Sequence, residues 1–161
     1  MRTTDTPTLQ DFHIEGVKHI NPSDALEALL SGEAIMIDVR EMNEVIPESI
    51  PLDRVLNHPM SVIMDRLAYI SKDQNIIVVC PGGVRSTRIA NLLMQNGYGS
   101  VASLDGGLNT WKAKGFPIKY NTQTGCCSSS DKQPKTSVLI ADKENVKSKD
   151  RIVDFKDLKR C

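Results

Sequence analysis

The chain has 161 residues, of which 40% are hydrophobic and 25% are charged, a composition that suits one globular domain with some chain left over. Its 20 basic and 20 acidic residues cancel, so we expect neither nucleic acid nor an anionic membrane as a partner. No apolar run approaches the ~18 residues that a membrane span requires. The polar N-terminus is unlike a secretory signal, and four scattered cysteines do not indicate a disulfide framework, so a cytoplasmic location is expected.

The first half of the chain predicts a strand, a capped helix and a buried strand. The strand covers residues 17–20, and the helix covers residues 21–32, with Asn21 as its N-cap and Gly32 at its end. The apolar run AIMIDV at 34–39 is typical of a strand that is covered on both faces. Residues 41–57 contain two prolines and show no clear pattern, whereas the residues after Pro59 have helical spacing.

The second half continues the alternation of strands and helices. It predicts a strand at 76–80, a helix that Ser86 caps and Gly97 ends, a strand at 100–104 and a helix at 106–115. Such alternation predicts an α/β fold with a central parallel sheet and helices on both faces. Ligands of these sheets bind beyond the carboxyl ends of the strands, which is where Cys80 lies.

The residues after Pro117 are polar and small, which predicts a C-terminal extension. We expect an N-terminal extension at 1–16, a domain at 17–118 and a flexible tail at 119–161. Within the tail, 136–141 could form a strand and 150–160 a short helix. The adjacent Cys126 and Cys127 are suited to passing sulfur, resolving an oxidised thiol or holding a soft metal, although chance placement explains them equally well. We treat the pair as a candidate sulfur relay.

The loop that follows the strand at 76–80 carries the chemistry. It joins a strand to a helix N-terminus, where unpaired N–H groups and the helix dipole favour negative charge. Gly82 and Gly83 permit a backbone that turns successive N–H groups inward, and Arg85 adds a cation. The pattern indicates an anion-binding loop around a reactive Cys80. The alternative is a buried strand cysteine beside an ordinary glycine-rich turn.

Three sequences in order resemble a single rhodanese-like domain over about residues 17–118: IMIDVRE, IIVVCPGGVRSTRIANLLMQNGY and VASLDGGLNTWKAKGFPI. The resemblance implies a rhodanese-like α/β fold and a sulfurtransferase without cofactor or metal. It implies that Cys80 is the nucleophile that carries sulfane sulfur as a persulfide and that Arg85 is catalytic. Asp38 and Arg40 are expected to support the loop as an ion pair. The residues implied to surround the sulfur are Pro81, Gly82, Gly83, Val84 and Ser86.

Two departures from the family leave the sulfur donor open. Many rhodaneses follow Asp-x-Arg with a Gly-His-Ile-x-Gly-Ala segment, and this chain has VIPESIPLDRVLNHP instead. The loop also has a single cation, Arg85, whereas some thiosulfate-using members have two. The expected donor is therefore thiosulfate or another persulfide, and the expected acceptor is a thiol, which a protein could supply.

Two other functions remain open from the residues. A sulfur carrier or regulatory binding module would show the same intact Cys80. Phosphatases and arsenate reductases also have a Cys…Arg anion loop, but theirs holds five residues between the two, and this loop holds four. The shorter loop favours a single sulfur atom over a tetrahedral oxyanion, so a phosphatase is the more distant alternative.

Overall fold

The computed structural model describes residues 1–121, and these contain all the elements given below. The strands are β1 Lys18–Ile20, β2 Ala34–Asp38, β3 Glu48–Ser49, β4 Val55–Asn57, β5 Asn75–Val79, β6 Val101–Leu104 and β7 Lys119–Tyr120. The α-helices are α1 Pro22–Leu30, α2 Met42–Val45, α3 Val84–Gln95 and α4 Gly107–Ala113. Two 3₁₀ helices cover Met60–Val62 and Met64–Tyr69.

Five strands form a parallel sheet in the order β1-β6-β5-β2-β4. β3 and β7 form a separate antiparallel pair. All five residues of β2 are buried, as are four of the five in β5, because both strands lie inside the sheet with helices on either side. The predicted α/β fold with a central parallel sheet is confirmed.

Alternate strand residues build two cores, one on each face of the sheet. On one face, Ile35 and Ile37 of β2 join residues of α3 such as Leu93. On the other face, Met36 joins residues of α1 and α4, among them Trp111. Since successive strand side chains point to opposite faces, one continuous apolar run supplies both cores. The helices therefore pack on both faces of β2 and β5 and fix the positions of their carboxyl ends.

The helix starts show where sequence patterns worked and where they failed. Asn21 caps α1, with its side-chain oxygen accepting from the amide of Ser23 at 3.1 Å, as predicted. Helix α3 begins at Val84 with Gly83 as its N-cap, so the prediction that Ser86 caps it was wrong. Gly83 has φ = 91°, a conformation open to glycine that turns the chain into the helix earlier than a serine cap would.

The segment between β2 and β5 also differs from its sequence pattern. Residues 41–57 contain the short helix α2 and the strands β3 and β4, none of which was predicted. The residues after Pro59 form two 3₁₀ helices, where the spacing suggested one helix. Within residues 1–121, no helix is long and apolar enough to cross a membrane.

The core position of Trp111 gives a test of this packing. Its side chain has no exposed surface, stacks edge-on against Phe116 with ring centroids 5.1 Å apart, and donates from Nε1 to the Pro117 carbonyl at 3.1 Å. Trp111→Ala should lower the free energy of unfolding by about 3–5 kcal/mol, measured by denaturant titration. Leu30→Ala is the control, since Leu30 is 70% exposed. Equal losses in both variants would contradict this placement of the core.

Candidate active site

Cys80 directly follows β5 at the carboxyl edge of the sheet. It is a free thiol with 1% of its surface exposed. Its Sγ accepts hydrogen bonds from the amides of Gly83 at 3.1 Å and Ser86 at 3.3 Å, and the Ser86 Oγ lies 3.4 Å away. These amides belong to the first turn and N-cap of α3, which have no partner inside the helix. The sulfur therefore occupies the place where a helix N-terminus stabilises an anion.

The backbone at position 83 favours glycine, because its φ of 91° strains other residues. A Cβ there would also displace the end of the Gln10 side chain. The Gly83 carbonyl accepts from the hydroxyls of Thr87 at 2.7 Å and Ser86 at 2.9 Å, which fixes the turn. Gly82 has no comparable constraint, because a Cβ there would lie 3.9 Å from the side chain of Asn109.

The other loop residues predicted from the sequence lie around this turn. Pro81 is half-buried and precedes Gly82, so it separates Cys80 from the two glycines. Val84 opens α3 and is exposed, so its side chain faces away from the core. The loop thus brings backbone amides to the sulfur and places the apolar side chain of Val84 on the protein surface.

The start of α4 holds the loop from the other side. Amides of Leu108 and Asn109 donate to the carbonyls of Cys80 at 2.8 Å and Pro81 at 2.9 Å. Gly107 permits this approach, since its φ is 64° and a Cβ would overlap the Cys80 carbonyl. Because the carbonyls are bound by α4, the loop amides remain free to face the sulfur. The second glycine of the Asp-Gly-Gly sequence is thereby explained.

The N-terminal segment packs against the turn that leads into α4. The buried carboxylate of Asp105 accepts from the amide and hydroxyl of Thr8 at 2.7 and 2.9 Å and from the amide of Leu9 at 3.0 Å. Gln10 Oε1 accepts from the amide of Gly106 at 3.0 Å. Sequence reasoning missed these residues, since polar positions far apart in the chain give no signal of contact.

A buried hydroxyl network lies beside Cys80. Ser86 Oγ and Ser103 Oγ are 2.9 Å apart, and Thr87 Oγ1 donates to Ser103 Oγ at 3.2 Å. All three side chains are fully buried. Because this network and the Gly83 carbonyl fix Ser86, its amide donates to the sulfur and its Oγ can accept from the Cys80 thiol. Ser103 on β6 was not identified from the sequence.

Asp38 and Arg40 form a buried ion pair at the end of β2. Arg40 Nη2 lies 2.7 Å from Asp38 Oδ2, and Arg40 Nε lies 3.0 Å from Asp38 Oδ1. Arg40 Nη2 also donates to the Glu48 carbonyl at 2.9 Å, and Arg40 Nη1 to the Glu44 carbonyl at 3.3 Å. The pair therefore fixes the backbone of residues 44–48. Beyond the pair itself, the described contacts of the Arg40 side chain are with that segment, and they do not include the sulfur.

Arg85 lies in the first turn of α3 and pairs with Glu44 of α2. Arg85 Nη1 and Nη2 each donate to one Glu44 carboxylate oxygen at 2.7 Å. The hydrogen bonds from Arg85 hold the pKa of Glu44 at about 2, well below its ordinary 4.5, and those with Glu44 raise the pKa of Arg85. Sequence reasoning missed Glu44, although Glu41-x-x-Glu44 has the spacing of a capping box.

The structure thus brings the amides of Gly83 and Ser86 to Cys80. It also links Arg85 through Glu44 to the pair of Arg40 and Asp38. A helix N-terminus with two amides that donate to a buried sulfur can stabilise that sulfur as an anion, or a second sulfur atom bonded to it. Cys126 and Cys127 lie outside the described residues, as do the elements predicted at 136–141 and 150–160. The sulfur relay and the three-part division of the chain stay predictions.

Comparison with known proteins gives a consistent family match. A family model described as a rhodanese-like domain matches residues 21–114. A sulfurtransferase of Allochromatium vinosum is 36% identical over 86 residues, which cover 53% of this chain and 78% of that protein. A thiosulfate sulfurtransferase, GlpE, of Pseudomonas savastanoi is 36% identical over 100 residues, covering 60% of this chain and 88% of that protein.

A solved structure extends the likeness to the fold. The crystal structure of a rhodanese-related protein from Thermoplasma volcanium superposes with a TM-score of 0.57 at 29% identity. The superposition covers 63% of this chain and 96% of that one. The family match at residues 21–114 contains four of the five strands of the parallel sheet, all except β1, and the loop of Cys80.

The Glu44–Arg85 pair predicts a dependence of stability on pH. Because the pKa of Glu44 is about 2 in the folded chain and 4.5 ordinarily, the pair stabilises the fold above pH 4.5, and this contribution disappears as the pH falls toward 2. Glu44→Gln should therefore unfold at a lower temperature than the parent at neutral pH, and the gap should close on acidification.

Thermal unfolding at a series of pH values measures that gap. Glu27→Gln, on the exposed side of α1, controls for the amide substitution itself. A gap between Glu44→Gln and the parent that stays constant from pH 7 to pH 2 would contradict the ionised pair.

Proposed function

Because the chain belongs to the rhodanese-like family, we propose that it is a sulfurtransferase that moves sulfane sulfur through a persulfide on Cys80 to a thiol acceptor. The observation that carries this proposal is the environment of Cys80 Sγ, with amide donors at 3.1 and 3.3 Å at the N-terminus of α3. The sulfurtransferase names of the relatives support the same class of reaction.

The loading step is a displacement at sulfur. The Cys80 thiolate attacks the outer sulfur of a donor such as thiosulfate, the S–S bond of the donor breaks, and sulfite leaves with the electron pair. Cys80 then carries a persulfide, and total charge is conserved. The loop amides support the step because they already face the position where negative sulfur must be stabilised.

The second step returns the enzyme to its starting state. A thiolate acceptor attacks the outer sulfur of the Cys80 persulfide, a new S–S bond forms on the acceptor, and Cys80 leaves as a thiolate. The amides of Gly83 and Ser86 stabilise the leaving thiolate by hydrogen bonding, as they stabilise the attacking thiolate in the first step. No other redox partner is needed, because each step exchanges one S–S bond for another.

The remaining site residues have positioning roles in this proposal. Arg85 lies at the start of α3 in an ion pair with Glu44, and the loop from Pro81 to Ser86 holds the outer sulfur. Asp38 and Arg40 hold the segment that carries Glu44. The proposed donors are thiosulfate or another persulfide, and the proposed setting is the reducing cytoplasm, where Cys80 stays a free thiol.

Replacing the nucleophile tests the proposal. Cys80→Ser should abolish sulfur transfer, measured as sulfide released when a sulfane donor and a dithiol acceptor are supplied, because a serine hydroxyl does not form a persulfide. The near-isosteric change should leave thermal unfolding close to that of the parent. Substantial sulfide release by a folded Cys80→Ser variant would rule out Cys80 as the sulfur carrier.

The same assay separates an enzyme from a carrier. An enzyme releases many equivalents of sulfide for each protein chain, with a rate proportional to protein concentration. A sulfur carrier releases about one equivalent and stops. Release that ends after the first equivalent, with excess donor and acceptor present, would favour the carrier over the sulfurtransferase.

A further inference from the structure

The charge at the mouth of the Cys80 loop is balanced by a residue outside the loop. Arg85 is the sole cation among residues 80–86. Both terminal nitrogens of its guanidinium donate to the carboxylate of Glu44 at 2.7 Å. This bidentate ion pair neutralises the positive charge of Arg85 with the negative charge of Glu44. A donor that approaches the loop therefore meets an almost neutral pair in place of a free cation.

Glu44 is held in this position by the backbone around it. Its Oε2 accepts from the amide of Glu41 at 3.1 Å. The carboxylate of Glu41 in turn accepts from the amide and hydroxyl of Ser61 at 3.1 and 2.9 Å. The Glu44 carbonyl accepts from the buried Arg40 at 3.3 Å. These hydrogen bonds fix the turn of helix α2 that carries Glu44. The carboxylate of Glu44 is therefore held in position to pair with Arg85.

We propose that Glu44 is a specificity-determining residue, which cancels the charge of Arg85 so that the site favours sulfur donors with one negative charge over the dianion thiosulfate. The proposal rests on the sulfurtransferase function and names its donor class: singly charged persulfides and thiosulfonates. An uncompensated Arg85 would attract a dianion twice as strongly as a monoanion at the same distance. Glu44 removes that advantage, and the burial of Cys80 then disfavours the donor with more charge to desolvate.

Two donors of nearly the same shape isolate this effect. Thiosulfate loads Cys80 with loss of sulfite. The methanethiosulfonate anion, CH₃SO₂S⁻, loads it by the same attack on the outer sulfur, with loss of methanesulfinate and its electron pair. A methyl group replaces one charged oxygen, so the two donors differ by one unit of charge. The ratio of their second-order loading rates, thiosulfate over methanethiosulfonate, measures the charge preference of the site.

Four proteins vary the charge of the pair. Glu44→Gln leaves a net positive site, Arg85→Ala leaves a net negative one, and the double variant restores neutrality, as in the parent. We expect the donor ratio to rise about tenfold in Glu44→Gln and to fall by a similar factor in Arg85→Ala. The double variant should return to within about twofold of the parent. Glu27→Gln, the same substitution on the exposed side of α1, should leave the ratio unchanged.

A purely structural role for the pair predicts a different result. Each single variant would then slow both donors by the same factor, the ratio would stay constant across the four proteins, and the proposal would be overturned. A ratio that falls in Glu44→Gln would overturn it as well. Higher ionic strength should shrink the differences between the variants, because screening weakens an electrostatic preference.

Alkylation rates of Cys80 measure the effect of the net charge of the Glu44–Arg85 pair without requiring sulfur transfer. Iodoacetate is an anion and iodoacetamide is neutral, and both alkylate the thiol of Cys80. The ratio of the two rates, iodoacetate over iodoacetamide, is measured on the peptide that contains Cys80. It should be highest in Glu44→Gln, intermediate in the parent and the double variant, and lowest in Arg85→Ala. If neither donor loads the parent, the sulfurtransferase function fails, while the alkylation ratios still decide the role of Glu44. If loading occurs and both sets of ratios are flat, the Glu44 proposal fails alone.

Discussion

The amide hydrogen bonds to the sulfur of Cys80 are the interaction on which the rest of the structure depends. They require a helix that starts four residues after the cysteine, at Val84, and its N-cap Gly83 permits that start through a left-handed backbone conformation. They also require the carbonyls of the loop to face elsewhere, and the first amides of α4 bind two of these carbonyls. The parallel sheet then holds β5 between two helical layers, so that strand end, loop and helix start keep their relative positions.

Two ion pairs lie near the Cys80 loop, one buried and one partly exposed. Asp38 and Arg40 are buried together, where removing either partner would leave an uncompensated charge at a cost of roughly 3–5 kcal/mol. Glu44 and Arg85 are each about one third exposed, at 33% of their side-chain surface. Arg40 joins the two pairs, since it binds the backbone of Glu44 as well as Asp38. The first pair fixes the backbone of residues 44–48, and the second places opposite charges beside the start of α3.

Sequence patterns predicted those parts of the protein that depend on local burial. The apolar runs of β2 and β5 identify the central strands, and they place Cys80 at the carboxyl end of β5. Glu44 could not be found in this way, because its partner Arg85 is 41 residues further along the chain. The contact between Thr8 and Asp105 could not be predicted for the same reason. Strand β4 was not predicted because an edge strand of three partly exposed residues has no buried apolar run.

Peptide mass spectrometry of the donor-treated protein tests the central claim most directly. After brief exposure to methanethiosulfonate, removal of excess donor and capping of thiols, the tryptic peptide of residues 73–85 contains Cys80, and the peptide of residues 120–132 contains Cys126 and Cys127. We predict that the first peptide gains the mass of one sulfur atom on Cys80, and that a dithiol acceptor removes it. An unmodified Cys80 in protein that has taken up sulfur on another cysteine would contradict the account.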